Sequence, residues 1–506
     1  MNSHAEVAHR HLLPADGLQP GLLNGSQFVR LVISEPWASS YAGQLLVSCL
    51  VNLLVRQVGL ISHIEIVAPR VPSVVRQPFG TSSDLFPECL SLFSTWAVDN
   101  AVGLSHAPTG VPADFTIFVG ITSDVRVPTG GRALAVMGEG WRAWAGDPMQ
   151  AAQGISPSST NPLGPFLAAA LAAGETFKQS RGILRGRFLA ADGYSLWSGL
   201  SGTDWDSLDT GPETAGLFLD PVHIVGAGAV GNALAYIIAN LGLADSYPVI
   251  IDDDRYDKTN LNRCLLAGWR DLKKHKVDAV ADVLRAMGMD TFPYHGSVKS
   301  YVTDARIGLR ADVAVQVNEL DFQIVASCVD KGLSRQHVQG LQPRLLLGGS
   351  TLNLQAKCNW YSGHPGAACL ACFNPPEKDG EKIRALENQL RNMRPEKRIL
   401  FLEENGLDAK AINDYLLGAS CGGFGEAALK DFATRPPPQF SAGFVSLAAG
   451  VLLGASLVRN TLHRVSATHR NAMTTLNLLN GRMIDAGLGA DPSCEFQKLH
   501  AATGTA

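Results

Sequence analysis

The stretch Pro221–Gly242, PVHIVGAGAVGNALAYIIANLG, runs an apolar strand-like segment into Gly226, Ala227, Gly228, Ala229, Val230 and Gly231, and then into an apolar helix-like segment. Strand, glycine turn and helix in this order form a phosphate cradle. Gly226 permits the tight turn, Gly228 lets a phosphate approach the backbone, and Gly231 lets the helix pack on the sheet with its N-terminal amides facing the anion. The next strand ends in Asp252, Asp253 and Asp254, where a carboxylate can hold a ribose hydroxyl pair. At this point a nicotinamide dinucleotide and ATP fit equally well.

The same plan stands earlier in the chain. VRLVISEPWASSYAGQLLVSCLVNLLVRQVGLISHIEIVAP, from Val29, repeats the order strand, turn, long apolar helix, strand. DFTIFVG from Asp114 matches DFQIVAS from Asp321, and GPFLAAALAAGETFK from Gly164 matches the apolar stretch from Ser441. Such internal similarity decides the architecture. In the first copy the glycine pattern is gone, leaving SEPWASSYAG, and the closing acids are replaced by Ala68 and Pro69, so a ligand-binding turn has become a structural one. The expected fold class is α/β, with two Rossmann-like halves in one chain. Residues 1–24 form a tail, 25–190 the degenerate half, 191–215 a Gly/Ser/Asp-rich linker, 216–486 the working half and 487–506 a second tail. Residues 374–416 are far more charged than their surroundings and read as a solvated helical insertion.

A chain of 506 residues has ample core without disulfides or metal. Its 42 basic and 46 acidic residues, net charge −4, give no broad field for nucleic acid or an anionic membrane, so small molecules and proteins are the expected partners. Nine scattered cysteines and a start without an apolar leader core point to a reducing, cytoplasmic setting. The Ser441–Val458 stretch approaches the length of a membrane span, yet its Gly, Ala and Ser content suits a tightly packed internal helix.

DDDRYDKTNLNRCLL, from Asp252, decides between the two ligands. Asn260 and Arg263 lie one helical turn apart just beyond the ribose acids, and Lys276 follows. Hydride transfer has no evident need for them, whereas a triphosphate about to lose pyrophosphate needs fixed donors and cations around its oxygens. Asp330 follows the apolar FQIVASCV, at a strand's C-terminal end, where open α/β sheets place ligand groups.

GAGAVG, DDDRYDKTNLNR, Lys276, VASCVDKGLSRQ, GHPGAACLACFNPPE and SCGGFG together resemble, in order, the ThiF, MoeB and ubiquitin-activating family of ATP-dependent adenylating enzymes. The doubled plan is similar to single-chain activating enzymes, in which an inactive half is fused to an active one, and to activating proteins of bacterial ubiquitin-like antiviral defence operons. The resemblance implies activation of a ubiquitin-like protein by adenylation of its C-terminal carboxylate, thioester formation on an enzyme cysteine and transfer to a conjugating enzyme, with a homodimer as one possible assembly. It implies Asp252 and Asp254 at the ribose and metal side, Asn260, Arg263 and Lys276 on the phosphates, and Asp330 on magnesium. It also implies an arginine reaching ATP from the partner half, for which Arg10 is a candidate. Adenylation for sulfur transfer to a carrier, an NAD-dependent oxidoreductase and a nucleotide-binding scaffold without turnover are the alternatives.

Two kinds of cysteine stand out in the working half. Cys369 and Cys372, in CLAC, can offer two thiolates to zinc. DPSCEFQKLH resembles the family's second cysteine pair but holds only Cys494, so either His500 completes a three-Cys, one-His site or no metal binds and the cysteines simply pack. Cys421, beside Gly422 and Gly423 at a helix start, has the setting of a lowered thiol pKa, and the resemblance makes it the thioester nucleophile; the alternative is a small buried residue.

Overall fold

The computed structural model describes residues 4–13, 26–80, 85–106, 109–122, 132–183, 191–244, 246–306, 322–361, 367–374, 379–417, 423–434, 439–463 and 472–498. The chain divides into two compact units, 1–374 with 440–506, and 375–439.

Strands of the first unit are β1 (Gln27–Ile33), β2 (Ile61–Val67), β3 (Gly103–Ser105), β4 (Phe115–Val119), β5 (Arg132–Glu139), β6 (Arg142–Gly146), β7 (Ala191–Ser195) and β8 (Ser201–Gly202). Then come β9 (Val222–Val225), β10 (Pro248–Asp252), β11 (Phe292–His295), β12 (Ile324–Ser327), β13 (Leu345–Leu352), β14 (Gln355–Tyr361), β15 (Ala472–Asn477) and β16 (Arg482–Gly487). They form two eight-stranded sheets, ordered β3-β2-β1-β4-β5-β6-β7-β8 and β11-β10-β9-β12-β13-β14-β15-β16. Each is parallel through its first five strands and antiparallel through its last three pairings. The second order is the first shifted by eight, so the duplicated plan read from the sequence is the architecture of the molecule.

Four apolar helices, Tyr41–Val55, Leu163–Ser180, Ala229–Asn240 and Gly443–His463, join the sheets through one continuous core. Small residues permit the close approach. A Cβ on Gly450 would lie 2.7 Å from that of Ala233, and the tilted rings of Phe177 and Phe444 meet with centroids 5.3 Å apart. The helix Gly443–Leu462 is long and apolar enough to cross a membrane, but 78% of its apolar window is buried inside the fold. Burial against protein satisfies the same composition that lipid would.

Three expectations differ from the structure. Residues 4–12 are not a loose tail: the helix Ala5–Leu12 buries Val7, Ala8 and His11, with His11 Nε2 3.0 Å from Val58 O and Arg181 Nη1 donating to His11 O. The stretch 191–215 contributes β7 and β8 and buries Tyr194, Trp205 and Leu208; its strands are too short and its apolar residues too unevenly spaced for periodicity to reveal them. The third concerns the first copy's glycines: its turn is structural, as expected, but one glycine keeps its place. Gly43, third residue of its helix as Gly231 is of the other, keeps the packing role, for a Cβ there would lie 2.0 Å from Trp37 O. Trp37, 1% exposed, presses its indole on Gly120 beyond β4, so the crevice between β1 and β4 is filled by protein.

The second unit consists, among the described residues, of helices Asp379–Asn392, Pro395–Glu404, Ala409–Leu416 and Gly423–Thr434 around Leu390, Leu402, Ile412, Leu416 and Leu429. The charged insertion is therefore a small helical bundle with its own apolar centre, and it runs past residue 416.

Candidate functional site

The site is built at the C-terminal ends of β9, β10 and β12, where the chain leaves β9 toward neighbours on both sides and a crevice opens. The three glycines of the turn divide the work. Gly226 has φ +97°, and a Cβ there would meet Cys328 backbone at 2.9 Å. A Cβ on Gly231 would lie 1.8 Å from Gly226 O. Around Gly228, the N-cap of the helix, a Cβ would meet nothing within 4 Å. That is the face open to a ligand.

Asp252 braces this turn. Its Oδ2 accepts from Ala227 N at 2.6 Å and its Oδ1 from Asp254 N at 2.8 Å. Burial raises the carboxyl's pKa, against the lowering effect of Lys276. Lys276, 8% exposed, sits 2.6 Å from Asp254 Oδ2 and 4.0 Å from Asp252 Oδ1. Burial opposes its charge, but the two carboxylates outweigh it and hold the ammonium above its ordinary pKa. A buried lysine thus stands behind the glycine turn, paired with an aspartate that is itself 67% exposed.

Beyond Asp254 the chain makes an excursion closed at its neck, where Tyr256 N donates to Lys274 O, Lys273 N to Tyr256 O, and Lys276 N to Asp254 O. This loop carries Asn260, whose Oδ1 accepts from Asp257 N at 3.1 Å, and Arg263, which donates to Thr259 O and, at 2.8 Å, to Asn262 Oδ1. Asp330 is exposed just past β12. Arg10, from the N-terminal helix, comes close enough for Arg263 to lower its pKa, a smaller effect than burial, while Asp257 and Asp330 oppose both. The same helix pairs Glu6 with Lys258 at 3.4 Å.

Sequence reasoning missed Asn232. Buried in the helix after the glycine turn, it accepts from Leu266 N at 2.6 Å and donates to Tyr256 OH at 2.8 Å, tying the loop to the turn. An asparagine within AVGNALAYIIAN was the available signal.

The thiols of Cys369, Cys372 and Cys494 meet although Cys494 is remote in the chain. Cys369 Sγ lies 3.5 Å from Cys372 Sγ and 3.8 Å from Cys494 Sγ, and all three fall within 4.8 Å of one another. Asp491 N donates to Cys372 Sγ at 3.4 Å, the kind of amide support that favours a thiolate. Cys421 and His500 lie outside the described residues.

Two mixed α/β halves, with a glycine turn, buried lysine and arginine loop at the strand ends of the second, define a nucleotide-binding class of protein. The chain belongs to the ThiF family, whose profile matches residues 216–495; that of the BilD N-terminal domain matches 28–188. Among curated proteins it is 29% identical over 273 residues to the bacterial E1-like protein BilD of Collimonas sp. (strain OK412), covering 52% of this chain and 54% of that one. It is 22% identical over 278 residues to the uncharacterized protein y4jF of Sinorhizobium fredii (strain NBRC 101917 / NGR234), covering 50% and 51%. The chain thus spans about half the length of the curated relatives it matches. Among solved structures it is similar to E. coli MccB with ATP, at 15% identity and TM-score 0.35 over 55% of this chain and 65% of that one. The microcin C7 biosynthetic enzyme MccB with N-formylated MccA gives 16% and 0.36 over 55% and 67%.

Proposed function

We propose that the chain activates a ubiquitin-like protein at the expense of ATP. The observation that carries this reading is buried Lys276, paired with Asp254 and Asp252, behind a glycine turn whose Gly228 face is open: a fixed cation beside a cradle for phosphate. In the proposed first step a carboxylate oxygen of the modifier's C-terminus attacks the α-phosphorus. The bond from that phosphorus to the bridging oxygen breaks, and pyrophosphate leaves with the electron pair. Gly226–Gly231 amides hold phosphate oxygens, Asn260 orients them, and Lys276, Arg263 and Arg10 meet the charge gathered on the leaving group. Asp330, exposed just past β12, can offer a carboxylate to a divalent ion; magnesium bound there would neutralise phosphate charge.

In the second step the Cys421 thiolate attacks the acyl carbon of the mixed anhydride, the bond to AMP oxygen breaks, and the modifier is held as a thioester for a conjugating enzyme. Support for Cys421 is its sequence setting, SCGGFG, immediately before the helix Gly423–Thr434.

Pyrophosphate exchange into ATP, with and without a ubiquitin-like protein, tests the first step. Exchange is expected to need the modifier and to disappear in Arg263→Ala and Asp330→Ala. Tight ATP binding with no exchange against any modifier would favour a scaffold instead. Cys421→Ala is expected to keep exchange while losing the thiol-sensitive adduct; an adduct that persists would place the thioester elsewhere, and a requirement for a sulfur donor would redirect the adenylate to sulfur transfer.

We also propose that Cys369, Cys372 and Cys494 hold zinc, with a fourth ligand from another group, His500 being one candidate. Three thiols within 4.8 Å suit tetrahedral sulfur coordination, and a closed zinc stabilises the fold rather than reacting. Metal analysis of purified protein should find about one zinc per chain, lost in Cys372→Ser together with thermal stability. A metal-free wild type of unchanged stability would sink the assignment.

A further inference from the structure

Arg56, at the C-terminal end of the helix Tyr41–Val55 in the half without a glycine turn, is 1% exposed. Its guanidinium reaches across to the other half. Nη1 donates to Leu261 O at 2.6 Å, and Nη2 to Ala267 O at 2.8 Å and to Leu265 O at 3.4 Å. Nε donates to Asn52 Oδ1 at 2.8 Å, and Asn52 Nδ2 donates to Leu265 O at 3.0 Å. The cation also lies over the Trp96 ring at 5.3 Å, and Trp96 O stands 2.6 Å from where a Cβ on Gly268 would be. All the gripped carbonyls belong to the loop that carries Asn260 and Arg263.

Stability alone is a poor reason for this arrangement. Among the described residues no ion pair includes Arg56, and burial, countered in part by Cys264, Tyr256 and Asp271, pulls its pKa down to about 10, so it is a charged group held mainly by neutral carbonyls. An apolar side chain of similar size fills such a space at lower desolvation cost. In the register set by Gly43 and Gly231 the other half has exposed Ala244 at this position and no such cation. A planar fork of five donors does what an apolar group cannot: it fixes several carbonyls of an irregular loop in one geometry.

We infer that Arg56, backed by Asn52, is a positioning residue through which the ligand-free half sets the loop that presents Asn260 and Arg263 to the phosphates of ATP. This rests on the ATP reading above. The degenerate half, its own crevice filled by Trp37, thereby serves the crevice of its partner.

The test uses the full chain and compares ATP with AMP, which lacks the β- and γ-phosphates. Wild type is expected to bind ATP more tightly than AMP. Arg56→Lys keeps the charge but loses the fork, and should weaken ATP about tenfold or more while changing AMP less than about twofold. In an Arg263→Ala background the same change should add little, because a residue acting through another is not additive with it. Asn52→Ala, which leaves the guanidinium in place, should show the same ATP-selective loss at smaller size even if the lysine variant folds poorly. Equal loss of ATP and AMP, or full additivity with Arg263→Ala, overturns the positioning role. A wild type that does not distinguish ATP from AMP overturns the ATP reading itself.

Discussion

Gly228→Ala and Gly231→Ala are expected to fail in opposite ways, although the two glycines are three positions apart in one motif. At Gly231 an added Cβ would lie 1.8 Å from Gly226 O and 3.2 Å from Ile224 Cγ2. The carbonyl cannot swing away freely, because Gly226 N is tied to Ile251 O at 2.8 Å and Gly226 itself holds φ +97°. Helix and turn must therefore part, at a cost of about 3 kcal/mol on the scale of overpacked cores. Thermal or denaturant unfolding should record that loss. At Gly228 nothing stands within 4 Å of the new methyl and the backbone has φ −69°, so folding should be unchanged. The methyl instead occupies the approach of the phosphate, and ATP affinity should fall about tenfold or more. A Gly228→Ala protein that binds ATP normally would remove the phosphate from this turn. One that unfolds like Gly231→Ala would show the motif to be packing alone.

Lys276→Met should lower modifier-dependent exchange by about 100- to 1000-fold, the scale of removing one fixed charge from a developing phosphate transition state. The shape of methionine suits the buried stem, so the loss is one of charge. Its effect on Asp252 and Asp254 has to be separated from its effect on substrate. Asp254→Asn, which removes the 2.6 Å partner but leaves the cation, should reduce exchange far less. If instead the two variants are equally impaired, Lys276 serves only to neutralise the acids. The sign of the pKa shift adds a check. Because the carboxylates raise the lysine pKa despite burial, it stays protonated at neutral pH and through its ordinary range, and exchange should show no alkaline fall from this group between pH 7 and about pH 10.

Much of the site was legible because it is written in short segments. The glycine spacing, the acids ending the next strand and the lysine that follows are encoded by neighbours, and local strand, turn and helix chemistry reads them directly. The repeated order of elements was legible for the same reason, since each copy has its own periodicity. Misreadings came where composition stood in for packing. A Gly/Ser/Asp-rich stretch proved to carry β7 and β8, and the N-terminal segment read as a tail proved to be a helix that buries Val7, Ala8 and His11. The first copy's glycine pattern read as gone, yet Gly43 retains one of that motif's three roles.

From residue order alone follow the class of the two halves, the place of the glycine turn and the charged groups that follow it in the chain, all local properties of a chain that alternates strands with helices. Which groups cooperate is a matter of the closed fold. Arg56 reaches Leu261 across 205 positions, and Cys369 meets Cys494 across 125. No spacing rule encodes such meetings, because they exist only once two sheets share a core and carry their loops to a common edge.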